Sequence, residues 1–175
     1  MANLKHKLHT LALCAAALAF FGGQLLAETP KPKVAIVAIN DAKADKELFN
    51  LARDTFSGSL KSAWGLKVDD SILTKLAFKK GNSPETIKAA GKLLSVNYVC
   101  AVGLYGDTGN LQIVAELSDA ASGERIAQGD RAINPNFPEK DAVRYSKALA
   151  KEMEKALKKK LISDKASALK DLAKR

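Results

Sequence analysis

The residues of this chain whose chemistry best suits catalysis are acidic side chains. Asp69 and Asp70 are adjacent carboxylates at the end of a predicted strand, and Asp107 and Asp119 lie in predicted turns. Two carboxylates that converge at roughly 5 to 9.5 Å can hydrolyse glycosidic bonds, so a carboxylate-dependent hydrolase is one hypothesis. Neighbouring residues of a strand point to opposite faces, however, which favours a solvated strand end for Asp69 and Asp70.

A glycine-rich stretch over 103–109 resembles a phosphate-binding loop only in its glycine content. Such a loop carries lysine after its last glycine and opens a helix. Here Asn110 follows the last glycine and a strand is predicted to begin, so a hairpin turn is the better interpretation. The segment from Asp119 to Gly123 also predicts a turn, in which the aspartate accepts backbone hydrogen bonds.

The first 27 residues have the three parts of a secretory signal peptide. A short basic start precedes an apolar run over 11–21, and small residues lead to Ala27. The run is shorter than the roughly 20 residues that span a bilayer, which disfavours a retained membrane anchor. Cleavage between Ala27 and Glu28 is predicted, with Ala19 as a weaker alternative, and the mature protein is expected in the periplasm.

Cleavage removes the residues on which much side-chain catalysis depends. His6, His9 and Cys14 lie in the signal peptide, so the mature chain keeps no histidine and a single cysteine, Cys100. This excludes Ser-His-Asp and Cys-His nucleophiles, Cys/His zinc sites and an intrachain disulfide. The apolar neighbours of Cys100 predict a buried small hydrophobe rather than a reactive thiol. No catalytic residue, cofactor or metal site is expected.

Basic residues dominate the charge that remains after cleavage. The whole chain has 28 Lys and Arg, 19 Asp and Glu and a net charge of +9, and the loss of two signal-peptide lysines leaves +7. Lysines crowd the C-terminal helices, where they either complement the helix dipole or form a surface for an anionic partner. Nucleic acid is not expected as that partner, because basic and aromatic residues are not interleaved. The candidate surface comprises Lys151, Lys155, Lys158, Lys159, Lys160 and Lys165.

Apolar patterns after residue 27 predict one α/β (α+β) domain in the order β-α-β-α-β-β-β-α. A continuous β-branched run suits a first strand covered on both faces, and glycine-containing turns join the last three strands into an antiparallel meander. A single mixed sheet of about five strands is therefore expected, with helices packed on it. The predicted strands are 34–39, 66–69, 97–105, 111–117 and 124–133.

Helical spacing of apolar residues predicts four helices around this sheet. Asp45 is the expected cap of the first helix. Ser83 followed by Pro84 marks the start of the second, which is expected to bury Leu93. The third helix is long, and its apolar stripe also suits a helix partner or a homo-oligomer. Residues 71–81 fit either a helical turn or an irregular crossing. The predicted helices are 45–63, 84–94, 139–162 and 164–173.

The segments that define this order resemble the amino-terminal domain of TolB. The resemblance extends to FlgO-type proteins of the flagellar outer membrane and, more distantly, to CsgG-type secretion proteins. It implies an envelope α/β domain at 28–133, and the basic helical segment at 134–175 is expected to pack on that domain. The best matches are Lys33-Val-Ala-Ile-Val, Gly65-Leu-Lys-Val-Asp, Lys92-Leu-Leu-Ser-Val-Asn-Tyr-Val and the stretch from Leu111 to Gly123.

The resemblance implies a non-enzymatic component of the bacterial envelope that binds other proteins or accompanies a secretion or assembly system. It implies no substrate, and the expected partner is an envelope protein. Two alternatives stay open from the residues themselves. One is a binder of anionic lipid, lipopolysaccharide or glycan through the basic C-terminal helices. The other is a hydrolase of envelope polymer that uses only carboxylates and lysines.

Overall fold

A mixed four-stranded sheet forms the centre of the part of the chain that the computed structural model describes, residues 32–40, 45–64, 83–107 and 109–173. The prediction of a mixed sheet with helices packed on it and a long C-terminal helix is confirmed. The strands are β1 (Val34–Asn40), β2 (Tyr98–Tyr105), β3 (Gln112–Asp119) and β4 (Arg125–Ala132). The helices are α1 (Lys46–Trp64), α2 (Pro84–Leu94) and α3 (Pro138–Leu172).

The strands are ordered β1-β2-β3-β4 across the sheet. β1 runs parallel to β2, with Val34 opposite Tyr98. The pairs β2–β3 and β3–β4 are antiparallel, which confirms the predicted meander. The predicted strand at 66–69, the ambiguous stretch at 71–81 and the signal peptide with its cleavage site lie outside the described residues.

Helices pack on both faces of the sheet, and the second face is covered only at β1 and β2. On one face α1 and α3 pack side by side, and Phe56, Leu104 and Leu149 lie at the centre of this larger core. On the other face α2 covers β1 and β2 through a smaller cluster that includes Ile87. β1 lies between the two layers, and this explains why its β-branched residues are buried on both sides.

Polar side chains begin α1 and α2 as the sequence predicts. Asp45 Oδ1 accepts a hydrogen bond from the Glu47 amide at 3.3 Å, and Ser83 Oγ accepts one from the Thr86 amide at 3.3 Å. The expected burial of Leu93 is wrong, because this side chain is 57% exposed. It lies six residues after Ile87, which is about 120° around α2 and at the edge of the side that packs on the sheet, in the last turn of the helix.

The C-terminal part of the chain is one helix rather than two. The predicted break at Ser163 is wrong, and α3 continues without interruption to Leu172. A single serine costs a helix little, and the Lys160 ammonium pairs with the Asp164 carboxylate at 2.7 Å across that position. None of the helices described is both long and apolar enough to cross a bilayer.

Candidate functional site

The glycine-rich stretch after β2 is a hairpin turn, as expected. Gly106 has a φ of 99°, a backbone conformation that residues with a side chain rarely adopt. Asp107 Oδ1 accepts hydrogen bonds from the Gly109 and Asn110 amides, both at 3.1 Å. These contacts use the carboxylate to close the turn. The backbone then enters β3 rather than a helix, so the stretch lacks the cradle of a phosphate loop.

The carboxylates that would define a hydrolase do not converge where the structure describes them. Asp119 Oδ1 accepts from the Ala121 and Ser122 amides at 2.8 and 2.9 Å, and so closes the turn between β3 and β4. Asp107 lies just beyond the opposite end of the β2–β3 ladder, which is roughly 23 Å long at 3.3 Å per residue. Asp69 and Asp70 lie outside the described residues.

Cys100 is fully buried in the larger core, as the sequence predicts. Burial raises the pKa of its thiol far above the ordinary value, and the nearby Glu116 carboxylate adds to the effect. A thiol with so raised a pKa is a poor nucleophile. In the part of the chain that is described, no three His, Cys, Asp or Glu side chains cluster closely enough to hold a metal ion.

Six cations follow one another along the outer side of α3, and we call them the cationic ridge. They recur every three or four residues, so they share one helix face. Each is exposed, whereas the face that includes Ala142, Ser146, Leu149, Met153 and Leu157 is buried against the sheet and α1. The ridge is about 27 Å long, at 1.5 Å per residue. It comprises Lys140, Arg144, Lys147, Lys151, Lys155 and Lys158.

The helix dipole does not account for the cationic ridge. Lys140 lies in the first turn of α3, where the partial positive charge of the helix end disfavours a cation. Intrahelical pairing accounts for part of it, because Arg144 pairs with Asp141 at 3.0 Å and Lys158 pairs with Glu154 at 2.5 Å. The other four lysines of the ridge form no ion pair with any residue in the described ranges.

A groove of about 420 Å³ lies at the N-terminal end of the ridge. Phe137 is 61% exposed there, which is unusual for so large an apolar side chain. The Arg144 guanidinium lies 4.5 Å from the centre of the Tyr145 ring and donates to its hydroxyl, so the cation is held in place. The groove is lined by Ala132, Ile133, Asn134, Phe137, Lys140, Asp141, Arg144 and Tyr145.

Buried polar contacts fix the shape of this groove. The Asp141 carboxylate is almost fully buried and accepts a hydrogen bond from the Asn134 amide at 3.1 Å, which joins the end of β4 to the start of α3. Pro138 supplies the first residue of the helix with a preset φ. The segment that carries Phe137 is therefore tied down at both ends.

The lysines that the sequence predicts as one candidate surface do not all lie on the same side of α3. Lys151, Lys155 and Lys158 belong to the cationic ridge, and Lys159 is exposed beside it. Lys160 lies on the opposite side of the helix and is paired with Asp164, whose carboxylate raises the pKa of the lysine ammonium. Lys165 lies further along, where α3 extends past the sheet.

Sequence reasoning missed the first half of the ridge and the groove. Lys140, Arg144 and Lys147 are less dense in the sequence than the lysines after residue 150, whose density is the basis of the predicted surface. Their spacing of four and three residues was the available signal, because it places them in line with Lys151. Exposure of Phe137 is a tertiary property that its sequence position does not reveal.

Comparison with known proteins finds likenesses in structure alone. No protein-family model matches the chain, and no curated protein sequence matches it either. Among solved structures, the chain is similar to the LpoB C-terminal domain from Salmonella enterica, with 15% sequence identity and a TM-score of 0.45. The alignment covers 62% of this chain and 87% of the LpoB chain. It is also similar to PelC from Paraburkholderia phytofirmans, solved as a dodecamer, with 15% identity, coverage of 75% and 90%, and a TM-score of 0.46.

TolB, which the sequence resemblance names, is also among the similar structures. The protein from Acinetobacter baumannii shares 16% identity, and the alignment covers 73% of this chain and 28% of that one with a TM-score of 0.44. At such identities a likeness concerns the fold alone.

Proposed function

We propose that this protein is an exported, non-enzymatic binding module of the bacterial envelope, and that it binds an acidic surface of a protein partner through the groove and the cationic ridge. The observation that carries the proposal is the segregation of cations on the outer side of α3. A helix that needs only solubility mixes both signs of charge on its exposed side. Here the cations form one line with Glu139, Asp141 and Glu152 on its flanks, and Glu154 lies beside the line, paired with Lys158.

The groove supplies the second part of such an interface. Binding energy in protein interfaces concentrates in a few aromatic and arginine side chains at the centre of a concave site. Phe137, Arg144 and Tyr145 are residues of that kind, and Arg144 is already positioned before a partner arrives. The lysines of the ridge then increase the rate of association and select for an acidic partner.

Crosslinking in intact cells, followed by purification of the tagged protein, tests the proposal. The variant K147Q/K151Q/K155Q removes three charges from the ridge. The matched control K61Q/K88Q/K92Q removes three exposed charges from α1 and α2. We expect one dominant protein partner with the wild type and the control, and its loss with the ridge variant. The binding of the purified partner is expected to weaken by at least about tenfold between 0.1 and 1 M salt.

Two results would contradict the proposal. The first is equal recovery of the same partner by the ridge variant and the wild type, because the ridge would then have no part in binding. The second is recovery of lipid or lipopolysaccharide without any protein. Circular dichroism of both variants serves as the control for folding.

A further inference from the structure

The last three turns of α3 extend past the sheet, and we call residues 162–172 the overhang. Burial on α3 ends at Leu157, and every residue of the overhang is exposed. Packing on the domain therefore does not explain why this segment continues as a helix. The overhang nevertheless carries three of the five large apolar side chains that are exposed in the described ranges.

The exposed apolar residues of the overhang lie in line with the cationic ridge. Ile162 is 72% exposed and follows Lys158 by four residues, which places the two on one helix face. Leu169 is 63% exposed and follows Ile162 by seven residues, so it continues the same line, and Leu172 at 74% exposure borders it. Lys165 lies between Ile162 and Leu169. The apolar side of the overhang is therefore also its cationic side.

The two acids of the overhang lie on the opposite side. Asp164 follows Ile162 by two residues and Asp171 follows Leu169 by two residues, which places each about 200° around the helix from the aliphatic residue. Asp164 is moreover paired with Lys160. A surface that approaches Ile162 and Leu169 thus meets aliphatic side chains and lysines, with the carboxylates turned away.

We propose that the overhang docks on an anionic lipid surface, with Ile162 and Leu169 in the headgroup region and Lys158 and Lys165 on lipid phosphates. This arrangement of aliphatic residues between lysines is that of helices that lie in a membrane interface, where long lysine side chains reach the polar layer. A second copy of the chain fits less well, because two such faces would bring their lysines together. The inference goes beyond the proposed function, since it requires no protein partner.

Vesicle flotation tests the inference on the protein purified from its exporting cells, with its N-terminus determined by mass spectrometry. The vesicles contain equal parts of phosphatidylglycerol and phosphatidylethanolamine, and neutral phosphatidylcholine vesicles are the comparison. We expect binding to the anionic vesicles at 50 mM salt, at least about fivefold weaker binding at 500 mM, and little binding to the neutral ones. The variant I162S/L169S is expected to bind at least about tenfold more weakly.

The control variant is L93S, which replaces an exposed leucine on α2 and is expected to bind vesicles within about twofold of the wild type. The ridge variant K147Q/K151Q/K155Q separates this inference from the proposed function, because it is expected to lose the protein partner while it keeps most vesicle binding. Because the overhang has no buried residue, its substitution leaves the core intact, and circular dichroism checks this.

Three outcomes overturn the inference. One is the absence of wild-type binding to anionic vesicles at low salt, and another is binding by I162S/L169S that equals that of the wild type. The third is a concentration-dependent dimer in sedimentation that I162S/L169S abolishes, because the occupant of the overhang would then be a second copy.

Discussion

Ser146 on α3 donates a hydrogen bond from its hydroxyl to the backbone carbonyl oxygen of Ala52 on α1, at 2.9 Å and out of contact with water. The two residues are 94 positions apart in the sequence. The bond sets how far α3 is shifted along α1. It thereby contributes to where the groove and the cationic ridge lie relative to the sheet.

Replacement of Ser146 by alanine is expected to lower the free energy of unfolding by about 1 kcal/mol. The variant loses one buried hydrogen bond, while the Ala52 carbonyl keeps its helical environment. Urea denaturation followed by circular dichroism measures the change. The exposed Ser163 on the same helix provides the control, and S163A is expected to stay within about 0.5 kcal/mol of the wild type. Equal stabilities of the two variants would show that the Ser146 bond does not hold the helices together.

Two glycines predict opposite effects of the same substitution. A Cβ at Gly129 on β4 would lie 2.7 Å from Leu149 Cδ2 and 2.8 Å from Glu152 Oε2, and because Leu149 is fully buried its side chain would have to repack. We therefore expect G129A to lower the free energy of unfolding by about 1 to 2 kcal/mol. A Cβ at Gly58, inside α1, would meet nothing within 4 Å. G58A is therefore expected to raise the same quantity by about 0.5 to 1 kcal/mol. Thermal denaturation of the two variants ranks them, and a reversed order would contradict the packing of β4 against α3.

Burial of Cys100 predicts how stability changes with pH. Its thiol pKa is raised in the folded protein by burial first and by Glu116 second, whereas the unfolded thiol titrates near 9.0. The folded state therefore keeps a proton that the unfolded state releases. The resulting stability is complete below pH 9 and is lost as the pH rises above it.

Between pH 8 and pH 10, the wild type is expected to lose about 1.4 kcal/mol more stability than C100A. Tyr98, whose pKa is also raised by burial, is present in both proteins and contributes equally to their slopes. Urea denaturation at the two pH values measures the difference. Iodoacetamide at pH 8 is expected to label Cys100 only after unfolding, and labelling of the folded protein would contradict its burial.

The groove predicts a preference for acidic peptides that also carry aromatic residues. A fluorescein-labelled peptide of alternating Glu and Phe is expected to bind more tightly than one of alternating Glu and Ser, because Phe137 offers an apolar contact beside the Arg144 cation. F137A is expected to weaken binding of the first peptide by about tenfold and to leave the second unchanged.

Fluorescence anisotropy measures both affinities. L93A, which shortens another exposed apolar side chain, is the matched control and is expected to alter neither. A similar loss of affinity for both peptides in F137A would mean that Phe137 positions the loop rather than contacts the ligand.

The local rules of secondary structure were readable in the sequence. Side-chain caps at Asp45 and Ser83, the β-branched run of β1 and the glycine turns of the meander each depend on residues within a few positions. The burial of Cys100 followed from its apolar neighbours for the same reason. The break expected at Ser163 failed because one weak helix former does not end a helix that an ion pair spans.

The sequence by itself determined the class of the fold, a mixed sheet with helices packed on it and a long C-terminal helix, because this follows from composition and short-range pattern. The route of export stays a prediction. The tertiary structure alone decided which residues share a surface. It placed Asp107 and Asp119 at opposite ends of a ladder, and it left Phe137 and the overhang in solvent. The physical reason is that exposure depends on where a helix begins and ends relative to the sheet beneath it. Packing between elements that are distant in the sequence sets that position.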